Sequence, residues 1–496
     1  MEEIQEDQQE VQQTNLVTVM NKALTIVAVA LMACTSLLAN DKAEKKNVTY
    51  NEKGEIIKTG TNFGPLPVVA FDADRGFQFG ALLNLYNFGN GDTYPNPKST
   101  WYFEASAYTK ESAINSYKLI VNYDNKTLIP GVRMSICTGY YKDAALDFYG
   151  FNGYQSIYDM DMLKPTFEFD DTKAGNKLLK KFEEKGKMPK GFYRFGRDLV
   201  KAKIDFTGEI LKNFYWEAGY NLAWVKAQPY VPQGYSVLAD PADPSMYVEG
   251  GTTLFNLYKE WGIIPEDEAD GGLTSALRFG LMYDSRNVEN NPTEGIWAEA
   301  HVMAAPKWLG TTHEHYKYCA TFRHYVPIIK DGKLTFAYRL GYQGSFGKST
   351  PWYTMPFYTN MGPKADNDGF GGYRTVRGLM LNRVQGLDVG FYNIELRWRF
   401  IDFKLWKQNI AFALSGFTDG AHVFRGYDMA NKTGKFMDLY NKFVDVNRKC
   451  DGFHGAAGAG LRFIMNQNFI VAFEYARCFN KQDGNGAFYI NTGFLF

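Results

Sequence analysis

The chain has 496 residues, of which 45% are hydrophobic and 22% are charged, a composition that suits a large folded body and is too polar for a bundle of membrane-spanning helices. Its 54 Lys and Arg residues balance 54 Asp and Glu residues, so no basic field attracts nucleic acid and no acidic tail indicates disorder. Aromatic residues reach 16% beside 48 glycines, a combination typical of barrels with aromatic girdles and many tight hairpins.

The only long apolar run, residues 23–33, is too short for a permanent membrane helix and predicts the core of a cleavable export signal. Cleavage is expected after Ala39. Residues 1–19 are acidic and Gln-rich, which does not suit the front of a signal, so Met20 is the favoured start. Acylation of Cys34, as in a lipoprotein, is the alternative. We therefore assign residues 1–39 to an extension and signal peptide, and residues 40–65 to a short periplasmic segment.

From residue 66 onward, stretches of about ten residues alternate apolar and polar side chains between turn residues, a pattern typical of membrane barrels. In residues 393–400, Ile, Leu, Trp and Phe share one face, while Asn, Glu and Arg share the other. The predicted fold is an all-β transmembrane antiparallel β-barrel over residues 66–496. Its sixteen predicted strands lie near 66–72, 76–88, 99–111, 114–125, 130–141, 196–207, 210–225, 273–286, 295–305, 315–327, 333–344, 391–400, 409–423, 454–465, 469–477 and 486–496.

The connections between these strands predict how the barrel is oriented. If both termini are periplasmic, four long connections fall on the extracellular side and short turns fall on the periplasmic side, as in outer-membrane barrels. The Lys/Glu-rich stretch 171–190 predicts a short amphipathic helix within the first of them. The long connections are 142–195, 226–272, 345–390 and 424–453.

Cysteines and histidines give no sign of metal or catalytic chemistry. His313 and His315 lack a clear third ligand, and no G-x-S-x-G elbow or phosphate loop is present, so we predict no metal, no cofactor and no enzymatic activity. A Cys450–Cys478 disulfide is an alternative to ordinary wall residues, because the exported compartment is oxidising. Four cysteines follow the signal without a C-x-x-C pair: Cys137, Cys319, Cys450 and Cys478.

The connection 345–390 is glycine-rich and carries two arginines in residues 371–379, G-G-Y-R-T-V-R-G-L. Val376, Arg377 and Gly378 resemble the V-R-G-F/Y motif of the BamA/TamA superfamily, also called bacterial surface antigen barrels. The long sixth loop of that family folds back into the barrel lumen, and the resemblance implies the same for this connection. Leu379 departs from the pattern, because the family usually has an aromatic residue there.

Further segments match this family in its own order. They are residues 283–286 (Y-D-S-R) with 291–295 (N-P-T-E-G), residues 393–397 (N-I-E-L-R) and residues 416–420 (G-F-T-D-G). The chain also ends in an aromatic segment that resembles the C-terminal recognition strand of outer-membrane proteins. The residues that support the resemblance are Asp284, Arg286, Pro292, Gly295, Gly371, Gly372, Phe417 and Gly420, with Phe494 and Phe496 as the C-terminal signal.

The resemblance implies that Arg377 pairs with Asp419, with Glu395 as the next partner. A guanidinium buried in a barrel needs carboxylates to offset its desolvation, and it can grip them in a bidentate way. Gly378 would permit a conformation or a close approach that a side chain forbids. The alternatives are that Arg377 is a solvated loop charge, or that Arg374 occupies the lumenal position.

By resemblance the protein is expected in the bacterial outer membrane, in contact with its lipid. Its expected function is outer-membrane protein assembly or the transport of polypeptide or lipid, with periplasmic or outer-membrane proteins as partners or clients. Residues 40–65 are too short for the POTRA domains that assembling members usually carry. A structural or partner-docked barrel without insertase activity is therefore a close alternative, whereas the inward loop argues against a diffusive channel.

Overall fold

A computed structural model describes most of the chain after residue 55. The expected signal peptide, residues 1–39, and most of the segment 40–65 lie outside the described residues. In the described ranges, no helix has the length and apolar character needed to cross a membrane. The described residues are 56–72, 76–110, 113–159, 163, 167–185, 189–231, 234–240, 243–248, 252–347, 350–363, 367–405, 408–430, 432–466 and 469–496.

One antiparallel sheet of sixteen strands dominates this part of the chain. Each strand pairs with its neighbours in sequence order, and the first strand meets the last at Asp72 and Tyr489, where the sheet closes. The all-β, antiparallel prediction is confirmed. The strands β1 to β16 are Thr61–Asp72, Gly76–Asn87, Ser99–Lys110, Ala113–Ile129, Val132–Asp147, Arg194–Leu211, Phe214–Gln228, Gly271–Asp284, Gly295–Ala305, His315–Ile329, Leu334–Ser345, Asp388–Leu405, Gln408–Arg425, His454–Met465, Phe469–Cys478 and Ala487–Thr492.

Both ends of the sheet differ from the sequence prediction. β1 begins at Thr61, so the predicted boundary at residue 66 is five residues too late. β16 ends at Thr492, followed by Gly493 with a φ of 86°. Phe494 and Phe496, predicted to end the last strand, therefore lie beyond it, and Phe496 is buried inside the sheet.

Side chains on each strand alternate between the inside and the outside of the closed sheet, as the period of two requires. In β12, Leu396 and Trp398 point outward and are 44% and 50% exposed. Asn393 and Glu395 point inward and are fully buried. The predicted division of residues 393–400 into an apolar outer face and a polar inner face is confirmed.

Four long connections follow β5, β7, β11 and β13 and leave the same end of the sheet, because antiparallel neighbours alternate in direction. We call this the long-loop end, and the opposite end the short-turn end. The connections span 148–193, 229–270, 346–387 and 426–453, and they hold helices α1 (Lys173–Lys185), α2 (Leu254–Glu260) and α3 (Met437–Phe443) with small strands Phe167–Phe169, Tyr235–Asp240, Asp243–Val248, Phe357–Tyr358 and Asn367–Asp368. Short 3-10 turns lie at Gly153–Gln155, Lys190–Tyr193, Glu266–Glu268, Lys307–Leu309, Lys330–Gly332, Trp352–Thr354 and Lys481–Asp483.

The four long connections share an apolar core at the long-loop end. The rings of Phe148 and Tyr258 lie 5.2 Å apart, and those of Trp261 and Tyr440 lie 5.4 Å apart, both pairs edge to face. Such pairs contribute about 0.5–1.5 kcal/mol beyond the area that they bury. The amphipathic helix predicted within 171–190 is present as α1, and its Phe182 joins this core. We call the assembly the loop cap.

We expect Leu396→Arg to lower the free energy of unfolding by about 2–4 kcal/mol, because a charge at the middle of an outward-facing row would meet hydrocarbon. Phe403→Arg, near the short-turn end of the same strand and similarly exposed, is the matched control, with an expected loss of about 0–1 kcal/mol. Urea titration of the protein in lipid bilayers, followed by tryptophan fluorescence, measures both. Equal losses would contradict a lipid-facing outer row.

Candidate functional site

The connection between β11 and β12, residues 346–387, enters the interior of the closed sheet, and we call it the inward loop. Although they belong to no strand, its residues Val376, Arg377 and Leu379 are fully buried. The inner faces of β12, β13 and β15 present Glu395, Asp419 and Glu474 toward it. Direct contacts between the loop and the wall therefore hold this segment in the interior, where the resemblance predicts it.

Arg377 binds carboxylates on three different strands. Its Nε donates to Asp419 Oδ2 at 2.8 Å and its Nη2 to Asp419 Oδ1 at 3.0 Å, a bidentate pair. Its backbone N–H also donates to Asp419 Oδ2 at 3.0 Å. Its Nη1 donates to Glu474 Oε1 at 2.8 Å and lies 2.6 Å from Glu395 Oε1. All four side chains are buried from solvent, so each charge depends on the others.

Two wall arginines complete the charge balance of this site. Arg397 Nε donates to Glu395 Oε2 at 2.6 Å, and Arg462 Nη2 donates to Glu474 Oε1 at 2.5 Å. Three guanidinium groups thus face three carboxylates in a region that excludes water. We call these six residues the lumen lock: Arg377, Arg397, Arg462, Glu395, Asp419 and Glu474.

The Phe417 ring packs against one face of the Arg377 guanidinium, whose Cζ lies 3.5 Å from the ring centroid. Burial alone would lower the pKa of Arg377, but Asp419, Glu395 and Glu474 together hold that pKa well above its ordinary value. Arg377 therefore stays charged, and the Phe417 face adds a cation–π contact to the ion pairs.

Glycines and a threonine give the inward loop the shape that presents Arg377. Gly371 and Gly372 have φ angles of 106° and 73°, which L side chains rarely adopt. Thr375 Oγ1 donates toward the Gly369 and Gly371 carbonyls and accepts from the Gly371 N–H at 3.0 Å. Asn393 of β12 donates its Nδ2 to the Thr375 carbonyl at 2.8 Å. This tight turn precedes Val376 and directs the next side chain at the wall.

Gly378 makes the closest approach of the loop to the wall. Its φ is 95°, and an added Cβ would lie 2.9 Å from the Ala456 Cβ and 3.0 Å from the Ala476 Cβ. Its N–H donates to the Tyr489 hydroxyl on β16 at 3.0 Å, and the Cys478 thiol on β15 donates to its carbonyl at 2.9 Å. Both the conformation and the available space therefore require glycine.

A second stretch of the inward loop, residues 357–361, binds the opposite part of the wall. The Asn360 carbonyl accepts from Lys203 Nζ at 2.7 Å and from Arg278 Nη1 at 2.9 Å. The Met361 N–H donates to Glu299 Oε1 at 3.2 Å. Contacts to β6, β8 and β9 on this side, and to β12, β13 and β15 on the other, mean that the loop crosses the lumen.

Beyond the lock, the inward loop joins the loop cap through Arg383. Its Nη1 donates to the Gly153 carbonyl at 2.7 Å, and its Nε lies 3.6 Å from Asp483 Oδ1. The same Asp483 carboxylate accepts from His454 Nδ1 at 2.6 Å. His454 Nε2 lies 3.0 Å from Asp451 Oδ2, so this buried cluster ties together the long connections after β5, β11 and β13.

The structure brings together most of the predicted site residues. Val376, Arg377, Gly378, Glu395 and Asp419 meet in the lumen, with Phe417 beneath the guanidinium and the two predicted glycines in the preceding turn. Arg377 is fully buried among these carboxylates, whereas Arg374 is exposed and contacts none of them in the described residues.

Other supporting residues lie elsewhere. Gly420 is on the outer face of β13, where an added Cβ would lie 2.5 Å from the Phe453 ring and 2.6 Å from the Tyr392 ring. It packs the outer aromatic surface and does not contribute to the lock. Asp284, Arg286, Pro292 and Gly295 lie at the short-turn end, around the turn between β8 and β9.

The C-terminal residues also belong to the lumen and not to a strand. The guanidinium Cζ of Arg397 lies 4.4 Å from the Phe494 ring centroid and 4.7 Å from that of Phe496. Its Nη2 donates to a Phe496 carboxyl-end oxygen at 3.1 Å. The predicted recognition signal is thus bound to an arginine of the lumen lock.

Sequence reasoning missed three members of the lock: Glu474, Arg397 and Arg462. Glu474 faces inward between Ala472 and Ala476, and its outward neighbours Phe473 and Tyr475 were a usable signal for that orientation. None of the four described cysteines forms a disulfide, so the alternative Cys450–Cys478 bond is absent. Cys478 instead contacts Gly378, as described above.

Comparison with known proteins identifies the family. A model described as the Omp85 superfamily domain matches residues 142–496. The chain belongs to the Omp85 superfamily. This match confirms the resemblance seen in the motifs, and the protein is a bacterial outer-membrane barrel of that family. No curated protein sequence matches it.

Solved structures similar to this Omp85 protein share little sequence with it. BamA from Haemophilus ducreyi lacking POTRA domains 1–3 is 14% identical, with 95% of this chain and 79% of that chain covered and a TM-score of 0.46. CdiB from Escherichia coli is 9% identical, with 88% and 63% covered and a TM-score of 0.49. CdiB from Acinetobacter baumannii is 11% identical, with 89% and 61% covered and a TM-score of 0.43.

We expect Arg377→Ala to release the inward loop, because three buried carboxylates would then face only two arginines. Cys478 is a native reporter, since its thiol is half-buried beneath Gly378. In a Cys450→Ser background, which removes the exposed thiol, maleimide labelling of Cys478 should become at least about tenfold faster. Arg374→Ala, on the same loop but exposed, is the control. Equal labelling rates in the two variants would refute the lock.

Gly378→Ala should lower the free energy of unfolding by about 1–3 kcal/mol, because the residue has a positive φ and no room for a methyl group. Gly416→Ala is the matched control on β13, where an added Cβ meets nothing within 4 Å, and its expected change is within about 0.5 kcal/mol. Urea titration in bilayers measures both. A Gly378→Ala value as small as that of the control would contradict close docking of the loop.

Proposed function

We propose that this protein acts in outer-membrane protein assembly or in the transport of polypeptide or lipid, with the inward loop as its controlled element. The observation that carries the proposal is the engagement of Arg377 by carboxylates of three separate wall strands inside the lumen. A simple diffusion pore has no use for a loop that crosses and occupies its interior. Such a loop suits a protein whose lumen or wall must open only when a client is present.

We propose that the closed sheet is a sixteen-stranded transmembrane barrel and that the inward loop is its sixth extracellular connection. The short-turn end is then periplasmic. The outward apolar rows support this placement, as do the long connections at one end, since outer-membrane barrels have short periplasmic turns and longer extracellular loops. Outer-membrane lipid would contact the outward rows.

The junction between β1 and β16 is the proposed place for lateral opening. Among the described residues, β1 aligns with β16 at one residue pair, whereas it aligns with β2 at twelve. This smaller number of described pairs favours the junction as the place of opening. The Tyr489 hydroxyl on β16 accepts from Gly378, so release of the inward loop would also remove a support of this strand.

A structural or partner-docked barrel without insertase activity is the second candidate. The loop cap favours it, because a large apolar core packs the long connections together at the long-loop end, and Arg383 ties the inward loop to them. Such a barrel would present fixed surfaces to periplasmic or outer-membrane partner proteins.

The deciding test is insertion of a model outer-membrane barrel into liposomes that hold the purified full chain. We expect wild type to accelerate insertion over empty liposomes, and Arg377→Ala to lower that rate roughly tenfold, because the loop is no longer held in place. Arg374→Ala should match wild type. Absence of acceleration by folded wild-type protein would support the structural candidate instead.

A further inference from the structure

The family-like motif in residues 283–295 lies far from the lumen lock, at the short-turn end between β8 and β9. Arg286 donates through Nε and Nη2 to the Asp284 carboxylate at 2.8 and 2.7 Å, and through Nη1 to the Glu289 carbonyl at 3.1 Å. Gly295 has a φ of 103°, and an added Cβ would lie 2.3 Å from the Ser285 carbonyl oxygen. These contacts build a rigid turn that presents Glu289.

Glu289 reaches a different part of the wall. Its Oε1 accepts from Arg133 Nη2 at 2.6 Å, and its Oε2 accepts from Lys126 Nζ at 2.7 Å. Arg133 also binds Asp124 in a bidentate way at 2.7 and 2.8 Å. These partners lie on β4 and β5, whereas the turn that carries Glu289 joins β8 to β9.

The turn between β2 and β3, residues 88–98, contacts the β8–β9 turn. The Glu289 N–H donates to Asn96 Oδ1 at 3.3 Å, and on the other side Asn409 of β13 donates its Nδ2 to the Tyr94 hydroxyl at 3.4 Å. Six strand positions separate the β2–β3 turn from the β8–β9 turn in the sheet order, about 29 Å of wall at about 4.8 Å per strand. Turns rooted so far apart can touch only by folding over the opening.

The burial of residues in the β8–β9 turn agrees with a turn that folds over the opening. Val288 and Asn291 are buried although they lie outside the sheet, and so is Pro292. A hairpin turn projecting into solvent would expose these side chains. Charges around Glu289 are balanced, with Lys126, Arg133 and Arg286 against Asp124, Asp284 and Glu289 itself, so the turn is held by a closed set of ion pairs.

We propose that residues 88–98 and 285–294 form a second closure of the barrel, a short-turn lid latched by Glu289. The lid covers the opposite mouth from the loop cap, and passage through the lumen requires the release of both the inward loop and the lid. This inference rests on the barrel part of the proposed function and is independent of client assembly. Its basis is the meeting of two distant turns and the ion pairs that join one of them to β4 and β5.

Hydrogen–deuterium exchange of the full chain in lipid nanodiscs tests whether the lid exists. Glu289→Gln keeps the shape of the side chain but removes its charge, so amides in both 88–98 and 285–294 should exchange about tenfold faster than in wild type. Glu294→Gln, an exposed residue in the same turn, is the matched control and should leave both segments unchanged. Unchanged exchange in 88–98 of the Glu289 variant would overturn the proposal.

Conductance in planar bilayers tests whether the lid closes the lumen. Arg377→Ala alone should open rarely, and Arg377→Ala combined with Glu289→Gln should conduct at least about tenfold more often. If the double variant conducts no more than the single variant, the lid is not a barrier. A failure of client insertion in the liposome assay would leave both lid measurements unaffected, so the two proposals can fail separately.

Discussion

The arrangement of the lumen depends on one constraint, the burial of Arg377 among carboxylates from three strands. Taking these ions out of water costs several kcal/mol each, and only their mutual contacts offset that cost. Removal of one partner leaves an uncompensated buried charge, typically a loss of about 3–5 kcal/mol. The wall therefore fixes where the inward loop lies, because Arg377 carries the loop charge that pairs with these carboxylates.

This constraint also explains what could be predicted from sequence. Asp419 and Glu395 were found because each lies in a short segment with a recognisable pattern, and because alternation alone puts Glu395 on the inner face. Glu474 carries no such pattern. It reaches Arg377 only through the register of β14 and β15, in which Gly460 aligns with Glu474, and register is set by long-range pairing that one strand's sequence does not determine.

The errors at the two ends of the sheet have local physical causes. Pro65 and Pro67 lack backbone N–H groups, yet both lie within β1, because prolines are tolerated in edge strands. β1 has such an edge, because its described pairing with β16 is confined to Asp72. At the other end, the aromatic residues after Gly493 follow an alternating pattern, yet they bind Arg397 in the lumen. An alternating pattern shows which residues are apolar. It does not show whether those residues contact lipid or an arginine side chain.

The lumen lock and the ion pairs around Glu289 share one design. Each sets three cations against three carboxylates, and each attaches a connection to strands remote from it in sequence: Arg377 to β13 and β15, and Glu289 to β4 and β5. The energy of such buried ion pairs depends steeply on geometry, and loss of one member leaves its partners as uncompensated buried charges. The loop and the turn are therefore more stable either fully docked or fully released than in between. We therefore expect a barrel closed by such contacts to change state in discrete steps, as bistable packed interfaces do, and not to widen gradually.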